Sequence, residues 1–357
     1  MANGSILNLK IFRYSLICAF FLIAGAFSQS AFGQEKASDN KEEKFDAKKT
    51  ILEHIGDSHA WPFAFPFVTE KHLPLPVILY TDNGLVVFSS GHLYPEGEVY
   101  NAGNQSYKLE ENKIKVVDAS GKIDEEATKK IWDLSITRNV VSMFMGIAIL
   151  LIVFLSISSS YKKREGKAPK GLQSWLEPLI LFVRDDIAIP NMGIKYVRFM
   201  PLLLTVFFFI LLNNLLGMVP FFPGGFNLTG NIAVTAVLSV IIFFVVNLNG
   251  NKYYWKHIFV PNPWWLFIIM IPVEVVGIFS KPIALMIRLF ANITAGHILI
   301  LSLISLIFIL NTIWVSPVSV IFVVFMDAIE LLVAFLQAYI FTLLSALFIG
   351  MAIEEHH

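Results

Sequence analysis

The sequence predicts an all-α polytopic membrane protein of about five membrane segments, the last two long and steeply tilted, preceded by a small N-terminal α+β or β-rich extracytoplasmic domain. Three observations carry this expectation. The 357 residues are 56% hydrophobic and 15% charged, with a mean hydropathy of +0.66, whereas soluble domains are roughly 45–50% apolar and about 25% charged. The charges are segregated, because from Phe199 to Ile353 there are only seven: Lys252, Lys256, Glu274, Lys281, Arg288, Asp327 and Glu330. A basic cluster, Lys162, Lys163, Arg164, Lys167 and Lys170, closes the first long apolar stretch after the polar N-terminal third. Lys plus Arg and Asp plus Glu balance at 27 each, which leaves no basic excess to hold a nucleic acid. The single cysteine, Cys18, excludes a disulfide framework, a thiolate cluster and a CxxC redox site.

Residues 1–33 read as a secretory signal. Lys10 and Arg13 form a basic region, Ser15 to Phe27 is an apolar core, and Ala31-Phe32-Gly33 supplies small residues before Gln34. The core is short of the roughly 20 residues of a permanent anchor, and the alternative is an uncleaved N-terminal anchor. Residues 34–137 form the expected extracytoplasmic domain, beginning with a charged linker over 35–50. Residues 77–90 place Asp82-Asn83-Gly84 between β-branched runs, a hairpin signal. Residues 107–123 read as one or two further strands. Glu53, His54, Asp57 and His59 could form a metal site, although polar side chains of an exposed loop explain them more simply.

The membrane domain is expected over 138–357. Segment one, 140–161, is followed by the basic cluster, which places that end in the cytoplasm and the preceding domain outside. Export of the N-terminus by a signal gives the same orientation, with the N-terminal domain outside. Residues 171–198 read as an amphipathic helix at the cytoplasmic surface, with Leu172, Trp175, Leu176, Leu179, Ile180 and Val183 interleaved with Glu177 and Arg184. Segment two, 199–219, carries Asn213 and Asn214 toward its far end and stops at Pro220. Segment three, 231–247, returns to a loop bearing Lys252, Lys256 and His257. The apolar runs 264–310 and 315–352 are far longer than one span needs. The first must tilt steeply, break at Pro272 or Pro282, or lie partly along the membrane, and mismatch alone rarely tilts a helix beyond about 40°.

Ionisable groups inside such segments cost about 3 kcal/mol each on insertion scales, so each is a functional candidate. Glu274, Lys281 and Arg288 recur at intervals of seven and stay within about 40° of one line, a face that Asn292 and Ala295 continue. His297 points to the opposite side. On the last segment Asp327, Glu330, Ala334, Gln337 and Phe341 form a second polar-centred stripe. A guanidinium cannot be silenced by losing a proton, so Arg288 is either half of a structural ion pair with Glu330 or Asp327, or a fixed cation that meets a mobile carboxylate and favours its ionised form. Lys281 reads as a structural or interface charge. A buried histidine is more often structural, but His297 together with Glu330 on the adjacent segment points to a proton path.

The run from Ser280 to His297, SKPIALMIRLFANITAGH, closely resembles the signature of subunit a of the F-type ATP synthase. Supporting matches lie at 201–220, at Asn231-Ile232-Ala233-Val234-Thr235 and at 331–349, so the resemblance covers about 138–355. The exported extension is similar to that of subunits from Bacteroidetes-type bacteria. By this resemblance Arg288 is the essential arginine facing the rotating c-subunit ring, with Asn292 and Gln337 grouped near it. His297 takes the place of a glutamate common in bacterial relatives and Glu330 the place of a histidine, an exchange that retains one of each. The resemblance thus implies proton translocation through Arg288, His297, Glu330, Gln337 and Asn292, with Asn214, Asp327 and Glu274 as candidates for lining two offset half-channels. It implies as partners the c-ring, the b subunits of the peripheral stalk, the remaining Fo and F1 subunits, and lipid. No cofactor is expected, and the absence of a Walker A pattern leaves nucleotide chemistry to partner subunits. The competing reading is an ion-coupled secondary transporter without a rotor, whose mark would be an inverted repeat; none is found.

Overall fold

The structure, a computed structural model, describes residues 48, 51, 55–62, 72–82, 84–103, 105–110, 112–118, 121–163, 167–219, 224–259, 267–310 and 316–354. All belong to the compact unit Asp46–His357. The signal reading over 1–33, Cys18, most of the 35–50 linker, Glu53 and His54 lie outside the described residues.

The N-terminal part is β-rich, as expected. Strands β1 (Ala60–Pro62) and β2 (His72–Pro74) pair antiparallel. The predicted hairpin is β3 (Pro76–Thr81) and β4 (Gly84–Ser89), with Thr81 opposite Gly84, whose φ of +108° favours a residue without a Cβ. Strands β5 (Val99–Ala102), β6 (Gln105–Glu110) and β7 (Lys113–Val117) form a separate three-stranded sheet, so the 107–123 stretch supplies two strands. Helix α1 (Glu125–Lys130) starts where Asp124 Oδ1 accepts from the amides of Glu126 and Ala127. The short β8 (Trp132–Asp133) adds to β3, giving the order β4-β3-β8. Alternation along β3, β6 and β7 turns Val77, Leu79, Tyr107, Leu109, Ile114 and Val116 into one core with Phe88 and Leu93.

No linker separates this part from the helices. Leu134 N–H donates to the Ile78 carbonyl at 2.9 Å and Ile136 N–H to the Pro76 carbonyl at 3.2 Å, so the sheet is extended up to the first turn of α2 (Arg138–Lys163). His59 Nε2 lies 2.9 Å from Asp133 Oδ2, and Asp57 Oδ1 accepts from the amides of Ser58 and Asn139. Burial alone would raise the Asp133 carboxyl, but hydrogen bonds from His59 and Ser135 outweigh it and hold the group below its ordinary range. Asp57 and His59 are thus engaged in this joint.

Helix α3 (Leu172–Phe182) occupies the predicted amphipathic stretch. It runs on through a π-helical turn, Val183–Ala188, and a short helical turn, Ile189–Met192, toward α4 (Tyr196–Gly217). Val183, Ile187, Ala188 and Met192 lie in the main helical core, so this stretch packs into the bundle. Helix α5 (Ile232–Leu248) begins at Asn231, whose side chain accepts from Ala233 N–H, and α6 (Lys252–Phe259) follows at a bend of 98°. Helices α7 (Phe267–Leu310) and α8 (Ser316–Ile353) are the two over-long segments. Among the described residues, four helical stretches are long and apolar enough to cross a membrane, and a fifth if the bent pair α5–α6 is one span. The chain is therefore a multi-pass membrane protein. Helix α7 does not break at Pro272 or Pro282. At 1.5 Å per residue its 44 residues extend about 66 Å against a hydrocarbon core of about 30 Å, an inclination of about 60° if all of it is immersed.

Candidate functional site

The residues singled out from sequence occupy three levels along α7. Glu274 lies 14 positions before Arg288 and His297 nine positions after it, which puts them about 21 Å and about 14 Å away along the axis. Nine residues at 100° each amount to a half-turn difference in facing. Accordingly His297 is turned into the bundle, with a side chain 15% exposed, while Arg288 is on the open face.

At the inner level, His297 Nδ1 lies 3.5 Å from Glu330 Oε1 of α8, whose side chain is 6% exposed. Two glycines make this approach possible. A Cβ on Gly296 would sit 3.0 Å from Glu330 Oε1, and one on Gly217 of α4 would sit 2.6 Å from the Phe226 carbonyl oxygen and 3.7 Å from His297 Nε2. Asn214 closes the pocket: its Nδ2 donates to the Ala334 carbonyl at 3.3 Å, and its Oδ1 accepts from Thr229 Oγ1 at 2.5 Å. Thr294 Oγ1 donates to the Gly230 carbonyl at 3.3 Å. The result is a buried polar chamber formed by four elements, in which Glu330 Oε1 has no hydrogen-bond partner among the described residues. Gln337, two turns beyond Glu330, is buried at 2% exposure.

At the middle level, Arg288 stands on an uncovered stripe of α7 with Ala284, Ala291, Asn292 and Ala295, all exposed. Among the described residues no carboxylate lies within salt-bridge distance of it, so the structural ion pair with Asp327 or Glu330 is not formed. Asp327 is also exposed. It lies about one turn before the buried Glu330 on the same side of α8, at the exposed edge of that stripe.

At the far level Glu274 Oε1 lies 3.7 Å from His257 Nδ1 of α6, some 35 Å along the axis from His297. Glu274 and His297 therefore belong to separate regions. Lys281 Nζ sits 5.4 Å from the centroid of the Phe348 ring, a cation–π contact joining α7 to α8; this agrees with a structural charge. Sequence reasoning missed Thr229, Thr294 and the permissive Gly217 and Gly296. Their only signal was small or hydroxylated residues near Asn213-Asn214 and His297, which gain meaning once α4, α7 and α8 converge.

Comparison with known proteins accords with this arrangement. A family model described as ATP synthase A chain matches residues 140–350, and one described as a domain of unknown function, DUF8433, matches residues 50–134. The chain is 49% identical over 233 residues to "ATP synthase subunit a" of Chloroherpeton thalassium, covering 63% of this chain and 69% of that protein. It is 51% identical over 228 residues to "ATP synthase subunit a 2" of Prosthecochloris aestuarii, covering 62% and 69%. Similarity to the subunit a of an Anaeromyxobacter species is 43% over 233 residues, covering 63% and 56%.

Proposed function

The chain belongs to the ATP synthase A chain family, and from that premise we propose that it is the ion-conducting stator subunit of the membrane sector, in which Arg288 faces a rotor of c subunits. It carries no catalytic role of its own. The observation that supports the role of Arg288 most strongly is its position: a permanent cation without a carboxylate partner among the described residues, on an open stripe of small residues along a membrane helix. Lipid is a poor neighbour for it, and a ring helix that brings a carboxylate past Ala284, Ala291 and Ala295 is a good one. Family membership gives no support to a transporter without a rotor.

In this reading protons enter from the outer face beside Asn214, His297 and Glu330. The imidazole and carboxyl relay each proton to a carboxylate on a c subunit, which is neutralised and can rotate into lipid. The ring then carries it nearly a full turn to an exit on the cytoplasmic side, near Glu274 and His257. Arg288 lies axially between the two regions. It attracts the ionised carboxylate and repels a bare proton, which prevents a direct leak. Asn292 and Gln337 serve beside it, with Asp327 at the ring-facing surface. The length of α7 and α8, well beyond one span, supports the same reading, since oblique helices can follow a cylindrical ring. The remaining assignments have the same standing: a signal over 1–33, a periplasmic domain over 34–137, a membrane domain over 138–357 in the bacterial inner membrane, a cytoplasmic C-terminus, and contact with the b subunits of the peripheral stalk.

Inverted membrane vesicles carrying Arg288→Ala test the assignment. Assembly, followed by co-purification of c subunits, is expected to persist while ATP-driven acidification disappears. An assembled Arg288→Ala complex that pumps like wild type would overturn it.

A further inference from the structure

The β-rich N-terminal part is joined to the membrane helices beside the His297–Glu330 chamber. Trp61, 1% exposed, meets the Phe226 ring edge-on at a centroid distance of 5.9 Å, and both are buried with Leu228 against Val141, Leu216 and Val234. Phe226 in turn has its carbonyl against Gly217, the residue that leaves room for His297. A chain of contacts therefore runs from Trp61 through Phe226 and Gly217 to His297. Alongside it, Arg138 is 2% exposed; its Nη2 donates to the Gly56 carbonyl at 2.7 Å and its amide to the Ser58 carbonyl at 2.8 Å. A buried guanidinium held by the backbone of the N-terminal part is too expensive to be incidental.

The surroundings are polar where a sealed interface would be apolar. Asn139 Oδ1 and Asn213 Oδ1 are buried without hydrogen-bond partners among the described residues, and so are both side-chain polar atoms of Asn227. Gly146 leaves Asn213 its place, since a Cβ there would stand 2.7 Å from Oδ1. Buried amides of this kind are satisfied by water. They come from α2, α4 and the 224–230 segment, between the N-terminal part and the chamber.

We propose that the N-terminal part is the outer wall of the ion entrance: Trp61 and the clamped Arg138 hold the ends of α2 and α4 so that a hydrated vestibule lined by Asn139, Asn213 and Asn227 opens onto His297 and Glu330. This rests on the stator reading above and assigns a role to the 50–134 region. Arg138 is here a positioning residue.

The test uses the whole complex in inverted vesicles, with passive proton conduction driven by an imposed potential after removal of the soluble sector. In assembled complexes Trp61→Ala and Arg138→Gln are expected to lower conduction on the order of tenfold, as a displacement of about 1 Å can, while Arg138→Lys retains most of it. A second measurement avoids variants of the wall itself. Asn139→Cys, although buried, is expected to react with a small impermeant thiol reagent from the outer side, and the modified complex to lose conduction. Wild-type conduction in assembled Trp61→Ala and Arg138→Gln, or an inert Asn139→Cys, overturns the proposal. The parent reading fails separately, through an Arg288→Ala complex that still pumps.

Discussion

At Gly296 a hydrogen occupies the place where any other side chain would press on the Glu330 carboxyl, 3.0 Å away. Two residues of the same motif thus shape one contact, His297 with its imidazole and Gly296 by having no side chain. Gly296→Val is expected to push the carboxyl away from His297 and slow ATP-driven acidification about tenfold in complexes that still assemble, in line with the cost of misplacing a reacting group. Vesicle acidification rates of Gly296→Val equal to wild type would remove the His297–Glu330 contact from the proton path. At this scale the sequence was highly informative about Arg288, His297 and Glu330, because a charge in an apolar segment stands out at once. Spacing puts Asp327 and Glu330 on one side of α8, but that the first is exposed and the second buried is settled by the helices packed against it. Thr229 and Thr294 were silent for the opposite reason: a hydroxyl is common in membrane segments, where it usually bonds within its own helix, as Ser302 does to Ile298.

The elements were legible in kind and less so in their boundaries. Helix α2 begins and ends within two residues of the predicted apolar stretch, and the β3–β4 hairpin is where its turn signal put it. Of the alternatives left open for this segment, a break at Pro272 or Pro282 is not the one taken, since neither stops α7. A proline inside an isolated soluble helix costs about 3 kcal/mol or more, but in a membrane segment neighbouring helices and local adjustment satisfy the freed carbonyls. The π-helical turn at Val183–Ala188 was not foreseen, nor the close seating of the next turn on α8. A Cβ on Gly350 would overlap the Asn191 carbonyl oxygen, a contact with backbone that no rotamer relieves. Gly350→Val should therefore pry the end of α8 from Ile189–Met192 and cost about 1–3 kcal/mol or more of stability. Thermal unfolding of the detergent-solubilised complex reads this directly: a melting temperature unchanged from wild type would show that the seam yields freely.

For the molecule as a whole, the orientation argued from Lys162, Lys163 and the exported N-terminus has a direct check. A cysteine placed at exposed Glu96 should react with an impermeant maleimide outside intact spheroplasts, and one at exposed Lys163 only after permeabilisation. Labelling of both positions from the same side would reverse or break the topology. By itself the sequence determined the class of protein, the approximate spans and, through the run from Ser280 to His297, the family. It could do so because burying a charge in an apolar segment is costly enough to mark function locally. Only the tertiary structure decided that Arg288 lacks a carboxylate partner among the described residues, that Glu274 belongs to the opposite end from His297, and that the N-terminal part meets the helices beside the chamber. Each of these depends on which faces of α2, α4, α7 and α8 converge. That convergence is fixed by side-chain and backbone contacts between residues as distant in sequence as Gly56 and Arg138, or Asn214 and Ala334, whose pairing no local pattern encodes.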